Sequence, residues 1–245
     1  HSQAANAIKA LPGDCNIGVA PHSLRAVSRE GLEFATTLAG DGPLHMHLAE
    51  QVAEVDEVRD AWGARPVEWL LQNHDVGQNW CLIHCTQMQA HETEALAKSG
   101  AVAGLCPITE SSLGDGIFDG INYVDAGGRF GIGSDSNIRI SLAEELRTLE
   151  YSQRLRDRGR AMFAKPDAST GRVIYDQAAQ SGAKATGRQS GTIAPGQLAD
   201  LVALDIQNPD LEGKNGDMLL DTFIFAGDST MVSDTWAAGR KVVTE

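Results

Sequence analysis

The sequence predicts an α/β protein: a TIM-type (β/α)8 barrel, present here as about five βα units (strands 4 to 8), plus part of a small β-sandwich domain. Short apolar segments alternate five times with helical patterns, which is typical of parallel βαβ units. Each segment ends in polar residues of the kind found at the functional rim of such barrels. Five strands cannot close an eight-stranded barrel, so we expect the remaining strands upstream of His1, on a separate segment.

The predicted strands share one design, an apolar run that ends in a polar tip. The strands and their tips are, in order, 17–20 with His22, 44–48 with His47, 81–83 with His84, 101–106 with Thr109 or Glu110, and 129–133 with Asp135. In LHMHLAEQ, Leu44, Met46 and Leu48 alternate with His45 and His47, which predicts that the two histidines share one face. Because the carboxyl ends of parallel strands meet at one rim, we expect these tips to converge.

Helical patterns separate the strands, and their ends show ordinary capping signals. The predicted helices are 2–11, 28–38, 52–62, 66–72, 89–98, 141–158 and a last one within 167–187. Ser28 is the expected N-cap of the second, and Gly100 the expected C-cap of the fifth. The Gly/Asp-rich stretch 111–120 is predicted to be a long loop, for which a lid over the substrate is the hypothesis.

The character of the sequence changes at Gly187. Turn residues surround 201–204, and DTWAAGRKVV alternates like a hairpin strand. We therefore predict two parts: residues 1–186, the C-terminal part of a barrel, and residues 187–245, a portion of a β-sandwich accessory domain.

The charge and the cysteines limit the classes of partner and compartment. A net charge of −13 repels nucleic acid and anionic membranes, so neither is an expected partner, whereas a homodimer is compatible with it. Four cysteines sit in or beside apolar runs without the spacing of a zinc knuckle or a disulfide framework, which predicts buried free thiols and a cytoplasmic protein. The cysteines are Cys15, Cys81, Cys85 and Cys106.

The strand tips predict hydrolytic metal chemistry. His47 and Asp135 are ligand types of catalytic zinc sites, although two ligands are too few. Bound zinc lowers the pKa of water to about 7. Glu50 is placed to move a proton to a leaving nitrogen, and His84 to hydrogen-bond the attacking hydroxide or the substrate. His45 is expected to pack or to form a hydrogen bond, and His1, His74 and His91 to lie at the surface.

Together, HLAE, LIHC and GIGSDS resemble the amidohydrolase superfamily, specifically its deaminase-like members with one metal ion, and GTIAPGQLADLVALD resembles the superfamily's β-sandwich. The resemblance implies one zinc ion per site, held by His47, Asp135 and an HxH pair on the first strand. It also implies that Glu50 is the proton shuttle and that His84 is a partner of the water that does not bind the metal.

Within the superfamily, APHSLRAVS, LHMHLAEQ and CPITESSLGDGIFD resemble the family of deiminases that hydrolyse N-formimino-L-glutamate in histidine degradation. That resemblance implies a small acidic substrate, with His22 and Arg25 as its binding residues. A guanidinium binds a carboxylate in bidentate fashion, as a dicarboxylate substrate of an acidic protein requires.

The sequence departs from the superfamily pattern at the first metal-binding strand. Its HxH pair is absent, since His45 and His47 form the only such pair and lie on the fifth-strand segment. The pattern therefore does not predict activity for this chain by itself. Two alternatives stay open: another aminohydrolase, such as a guanine or heterocycle deaminase, and a catalytically inactive scaffold subunit that lacks the metal pair. A plain metal-binding protein would not need Glu50 or His84.

Overall fold

The computed structural model describes residues 2–244, so the predictions that involve His1 and Glu245 lie outside the described residues. Within this range, four parallel strands form one sheet in the order of the chain. The strands are β1 (Leu44–Leu48), β2 (Trp80–His84), β3 (Val102–Leu105) and β4 (Arg129–Ile132). The predicted parallel α/β architecture is therefore present.

Helices precede, separate and follow these strands. They are α1 (Ser2–Ile8), α2 (Arg29–Ala39), α3 (Val52–Trp62), α4 (Pro66–Asn73), α5 (Ala90–Ser99), α6 (Pro107–Leu113), α7 (Gly120–Asp125), α8 (Leu142–Asp157) and α9 (Thr170–Ala185). The two capping predictions are confirmed: the Ser28 side chain accepts from the backbone N–H of Gly31, and Gly100 ends α5 in the left-handed region. Helix α1 ends at Ile8, three residues earlier than predicted.

The alternation of side chains along β1 determines which residues face the helices and which lie on the opposite face of the sheet. Leu44, Met46 and Leu48 are almost completely buried against the helices, while His45 and His47 lie on the opposite face and are half-buried. The same apolar core continues through Leu82, in β2, and Phe130, in β4.

The first predicted strand, 17–20, is not a continuous strand. This segment runs alongside β1 and pairs with it through isolated parallel bridges, Val19 with Leu44 and Ser23 with His47. Pro21 lies between the two bridges and has no backbone N–H, so it cannot extend a hydrogen-bonded ladder. The segment still forms the edge beside β1, and it is this edge that brings His22 to the site.

The prediction of a loop over residues 111–120 was partly wrong. Helix α6 continues through Leu113 and ends at Gly114, which adopts a left-handed conformation, and α7 begins at Gly120. Pro107 occupies the first turn of α6, where its missing N–H costs nothing. The irregular segment is therefore residues 114–119.

A three-stranded antiparallel sheet forms the C-terminal part, with β5 (Leu201–Leu204), β6 (Val232–Ala237) and β7 (Arg240–Thr244) in that order. Between β5 and β6 lies α10 (Asp217–Phe225), which the sequence did not predict and which packs against α8 and α9. The division into 1–186 and 187–245 stays a prediction.

Two further observations concern the cysteines and membrane-spanning helices. Cys81, Cys85 and Cys106 are buried free thiols as predicted, but Cys15 is exposed, so the prediction of burial was wrong for it. None of the helices within residues 2–244 combines the length and the apolar character needed to cross a bilayer.

Candidate metal centre and active site

Three side chains of ligand type meet at the carboxyl ends of the parallel strands. His47 lies in β1, His84 ends β2, and Asp135 follows β4. One ligand atom of each lies within 4.8 Å of those of the other two. The order of the strands thus gathers residues that are far apart in the sequence.

The ring of His47 is oriented by the segment at the sheet edge. Its Nδ1 lies 2.9 Å from the carbonyl oxygen of His22, and its own backbone N–H donates to the same oxygen at 3.0 Å. Since a carbonyl only accepts, Nδ1 carries the hydrogen and Nε2 keeps its lone pair. The His22 ring lies 4.9 Å from the His47 ring, between centroids. His47 is therefore preset to bind a cation through Nε2.

His84 is a buried imidazole surrounded by acids. Its Nδ1 donates to Oε1 of Glu110 at 3.2 Å, and Nε2 lies 3.7 Å from Oε1 of Glu50 and 3.9 Å from Oδ2 of Asp135. Burial by itself lowers the pKa of His84, but the hydrogen bond that His84 donates to Glu110 and the charges of Glu110, Glu50 and Asp135 together raise the pKa above its ordinary value. The ring can therefore donate from Nε2 into the site.

Glu50 follows β1 and faces His84. Burial raises the pKa of this carboxyl, the nearby His84 opposes the shift, and Asp115 and Glu54 add to it. Its backbone is fixed as well, because the Glu54 carboxylate accepts the N–H groups of Ala49 and Glu50 at 2.9 and 2.7 Å. A half-buried carboxyl with a raised pKa is suited to accept a proton and then donate it.

Sharp backbone turns place these side chains. Ala49, His84, Cys85 and Asp135 all have positive φ, between 45° and 71°, although none is glycine. Such residues cost about 1–3 kcal/mol each and persist where the surrounding structure holds them. All four lie where a strand ends at the site, as is typical of functional sites.

The two predicted substrate-binding residues differ in placement. His22 touches the cluster through His47, as described above. Arg25 instead forms an ion pair with Glu57 of α3, Nε to Oε2 at 2.7 Å, with side chains 41% and 56% exposed. No hydrogen bond or ion pair within residues 2–244 joins Arg25 to His47, His84 or Asp135.

The other histidines lie apart from the cluster. Nε2 of His45 is 2.7 Å from the carbonyl oxygen of Ala185, at the end of α9, which confirms that it forms a hydrogen bond. His91 is exposed and pairs with Glu68, whereas His74 is half-buried, close to the rings of Trp69 and Trp80. The prediction of a surface position is therefore confirmed for His91 and only partly right for His74, which is half-buried.

Sequence reasoning missed the residues behind the cluster. Glu110 was noted only as a strand tip, yet its Oε1 also accepts the backbone N–H of Cys106, at 2.8 Å. His84, Cys106 and Glu110 form a second group of closely spaced ligand atoms, all of them buried. Burial raises the pKa of the Cys106 thiol, so it stays protonated and is a poor ligand. Glu145 and Asp115, both buried, had no sequence signal beyond an acid in a helix or a loop.

Comparison with known proteins places the chain in a family. The model of the amidohydrolase family matches residues 2–242. The chain belongs to the amidohydrolase family. Enzymes of this family are typically metal-dependent, and the cluster of His47, His84 and Asp135 offers nitrogen and oxygen ligands in one place.

Individual members of the amidohydrolase family are similar along nearly the whole chain. Formimidoylglutamate deiminase of Pseudomonas aeruginosa is 47% identical over 234 residues, 94% of this chain and 51% of that protein. The crystal structure of an amidohydrolase from Brucella melitensis has a TM-score of 0.91 and 47% identity, covering 98% of this chain and 52% of that one. The chain thus spans about half the length of the curated relatives it matches.

A more distant structure supports the fold alone. An adenosine deaminase from Xanthomonas campestris with bound zinc has a TM-score of 0.87 and 23% identity, over 99% of this chain and 55% of that one. Together with the parallel sheet, these likenesses fit a TIM-like barrel.

Proposed function

We propose that this amidohydrolase chain is part of a zinc-dependent deiminase that converts N-formimino-L-glutamate and water to N-formyl-L-glutamate and ammonia, in histidine degradation. The observation that carries the proposal is the 47% identity to the Pseudomonas aeruginosa formimidoylglutamate deiminase over 94% of the chain. The cluster of His47, His84 and Asp135, with Glu50 beside it, supports a hydrolytic reaction.

The residues present fit a zinc ion. His47 has its Nε2 lone pair free because His22 fixes the tautomer, and Asp135 offers a carboxylate next to it. We assign both as metal ligands and His84 as a neighbour that does not bind the metal. When bound, zinc supplies Lewis acidity that lowers the pKa of water to about 7. The further ligands, an HxH pair, would come from the missing N-terminal segment of the same protein.

The chain's own residues perform the proton transfers. Glu50 takes a proton from the attacking water as the new C–O bond forms and delivers it to the imino nitrogen. It then carries the second proton of that water to the same nitrogen as the C–N bond breaks, so that the nitrogen leaves as ammonia and the C=O bond of the formyl group forms. Such transfer contributes about 10²- to 10⁴-fold to a rate. His84, fixed by Glu110, donates a hydrogen bond from Nε2 and stabilises the negative charge that develops on oxygen.

Substrate binding is proposed for His22 and Arg25. The glutamate portion of the substrate carries two carboxylates, and the guanidinium of Arg25 is suited to bind one of them. Its present partner, Glu57, is exposed, and an exposed ion pair contributes only about 0–1 kcal/mol, so a substrate carboxylate can replace it.

The same proposal also covers the two parts of the chain, the irregular segment near the site and the cellular compartment. Residues 1–186 would complete a barrel with the missing segment, and residues 187–245 would belong to the β-sandwich. The segment within 111–120 that is irregular, 114–119, would close over the substrate. Three buried free thiols support a reducing compartment, the cytoplasm.

The test uses this chain co-expressed with the unmatched part of the Pseudomonas aeruginosa relative and loaded with zinc. We expect ammonia release from formiminoglutamate, little from guanine, and loss of release in Glu50→Gln. His45→Gln is the matched control, since His45 bonds to Ala185 instead of facing the cluster. Absence of ammonia from formiminoglutamate in a correctly assembled, zinc-loaded complex would contradict the proposal.

A further inference from the structure

Thr109, in the first turn of α6, is a fully buried polar residue whose hydroxyl contacts the turn that carries Asp135. Its Oγ1 lies 2.9 Å from Oγ of Ser136, accepts the backbone N–H of Ser136 at 3.3 Å and donates to the carbonyl oxygen of Ser134 at 3.4 Å. A hydroxyl offers one hydrogen and two lone pairs, so these three contacts use all of them. The hydroxyl of Thr109 thus binds both chain neighbours of Asp135.

The turn around Asp135 depends on this hydroxyl for its attachment. Asp135 has a φ of 45°, a left-handed conformation that a residue other than glycine keeps only where the surrounding structure holds it. The other hydrogen bonds of residues 134–136, between Ser134 and Asn137, lie within the turn itself. In the part of the chain that the structure describes, Thr109 is therefore the one residue outside the turn that forms hydrogen bonds with residues 134–136.

The first turn of α6 is itself held in place on both sides of Thr109. The backbone N–H of Ile108 donates to Oε2 of Glu145, in α8, at 2.9 Å. Glu110, the next residue, accepts a hydrogen bond from the ring of His84 at 3.2 Å. Because its own position is fixed, the side chain of Thr109 can impose a position on the turn that it contacts.

Asp135 belongs to the candidate metal centre, where its ligand atom lies within 4.8 Å of those of His47 and His84. A ligand on a freely moving turn loses freedom when it binds an ion, whereas a ligand that is already held in place loses little. We propose that Thr109 is a positioning residue for Asp135: its hydroxyl holds the turn 134–136 so that the carboxylate stays beside His47, and this sets the affinity of the site for zinc. The inference rests on the proposed function, in which Asp135 binds zinc.

A role of Thr109 in packing alone is the alternative that the tests must separate. Valine has nearly the shape of threonine but lacks the hydroxyl, whereas serine keeps the hydroxyl and lacks the methyl group. Loss of the hydrogen bonds is therefore expected in Thr109→Val and not in Thr109→Ser. A role in packing alone predicts the reverse order of damage.

The first test measures zinc affinity by competition with a chromophoric chelator, in the chain co-expressed with the unmatched part of the Pseudomonas aeruginosa relative. We expect Thr109→Val to weaken zinc binding about tenfold or more, since partners that orient a metal ligand have effects of this size. Thr109→Ser should stay within about threefold of the native affinity. Thr93→Val is the matched control and should leave the affinity unchanged, because Thr93 is equally buried and its hydroxyl bonds to the carbonyl oxygen of Gln89, in the same helical turn.

A further variant covers the case in which Thr109→Val does not fold. Ser136→Ala changes an exposed residue and removes only the shortest of the three contacts, so we expect a loss of zinc affinity of about threefold. Circular dichroism establishes folding for each variant. A native zinc affinity in folded Thr109→Val, an equal loss in Thr109→Ser, or a native affinity in Ser136→Ala when Thr109→Val fails to fold overturns the proposal.

The second test needs neither zinc nor activity. Hydrogen–deuterium exchange in the metal-free complex, measured by mass spectrometry on the peptide that contains residues 133–138, follows the opening of the turn. We expect exchange about threefold faster or more in Thr109→Val, because the N–H of Ser136 loses its acceptor, and native exchange in Thr109→Ser. Native exchange in folded Thr109→Val overturns the proposal. If the native complex binds no zinc, the proposed function fails, whereas the exchange measurement still decides whether Thr109 holds the turn.

Discussion

The Nδ1 atom of His47 lies 2.9 Å from the carbonyl oxygen of His22. This contact joins a strand of the sheet to the segment at its edge and fixes which ring nitrogen of His47 is free. A backbone carbonyl also resists change by mutation, because no side-chain substitution removes it. The edge segment thus acts on the candidate metal site through its backbone.

Zinc affinity should therefore depend on His47 and not on its neighbour His45. In the assembled complex we expect His47→Ala to weaken zinc binding at least about 100-fold, because a proposed ligand with a preset tautomer is removed. His45→Gln, on the same strand and the same face, should change the affinity little, since His45 bonds to Ala185. Competition with a chromophoric chelator measures both. Equal weakening in the two variants would exclude His47 as a ligand.

Substitution of Arg25 and substitution of its partner Glu57 should have opposite effects on substrate binding. Arg25→Ala should raise KM for formiminoglutamate about tenfold or more with a smaller effect on kcat, because the guanidinium that we propose to bind a substrate carboxylate is lost. Glu57→Gln should leave KM equal or lower it slightly, since it frees Arg25 from a competing acid. Steady-state ammonia release is the measurement. An unchanged KM in Arg25→Ala would favour a neutral substrate.

The local parts of the fold were predictable because their signals are local. The alternation of Leu44, Met46 and Leu48 with His45 and His47 depends only on the period of a strand, and the structure confirms both faces. The cap at Ser28 depends on a side chain three residues from its donor. Convergence of the strand tips followed from one rule about parallel sheets.

The sequence predictions failed where contacts between distant parts of the chain determine the local structure. Pro21 interrupts the pairing of 17–20 with β1, which an apolar run does not reveal. Helix α10 is an apolar segment whose packing on α8 and α9 selects a helix. Glu110 and Asp115 matter through hydrogen bonds to His84 and Gln51, and no spacing in the sequence indicates these contacts.

Stability should decrease with rising pH because of Glu145. This residue is 1% exposed, and burial, only partly opposed by the N–H of Ile108, raises the pKa of its carboxyl from 4.5 to about 7. Below pH 4.5 the Glu145 carboxyl is protonated in both the folded and the unfolded states. Above this pH the carboxyl loses its proton first in the unfolded state. The free energy of unfolding therefore falls until the pH passes the pKa of the carboxyl in the folded state. At about pH 8, Glu145→Gln should therefore be more stable than the native chain by about 2–3 kcal/mol, and at about pH 4 nearly equal to it.

Urea unfolding of the metal-free chain at both pH values measures this difference. Glu144→Gln is the matched control, because the neighbouring carboxylate is more exposed and pairs with Arg139. The prediction fails if Glu145→Gln has the same effect at low and high pH.

The last prediction concerns the link between α9 and the antiparallel sheet. Arg188 donates two hydrogen bonds to the Asp200 carboxylate, Nε to Oδ2 at 2.9 Å and Nη2 to Oδ1 at 2.7 Å, and a third to the carbonyl oxygen of Asp14 at 2.7 Å. A partly buried bidentate pair with a third bond is stronger than an ordinary surface pair, so Arg188→Ala should lower the free energy of unfolding by about 1–2 kcal/mol. Arg139→Ala, which removes a more exposed pair with Glu144, should cost less than about 0.5 kcal/mol. Urea midpoints at constant pH and salt compare the two, and equal losses would show that the Arg188 pair is no more than a surface contact.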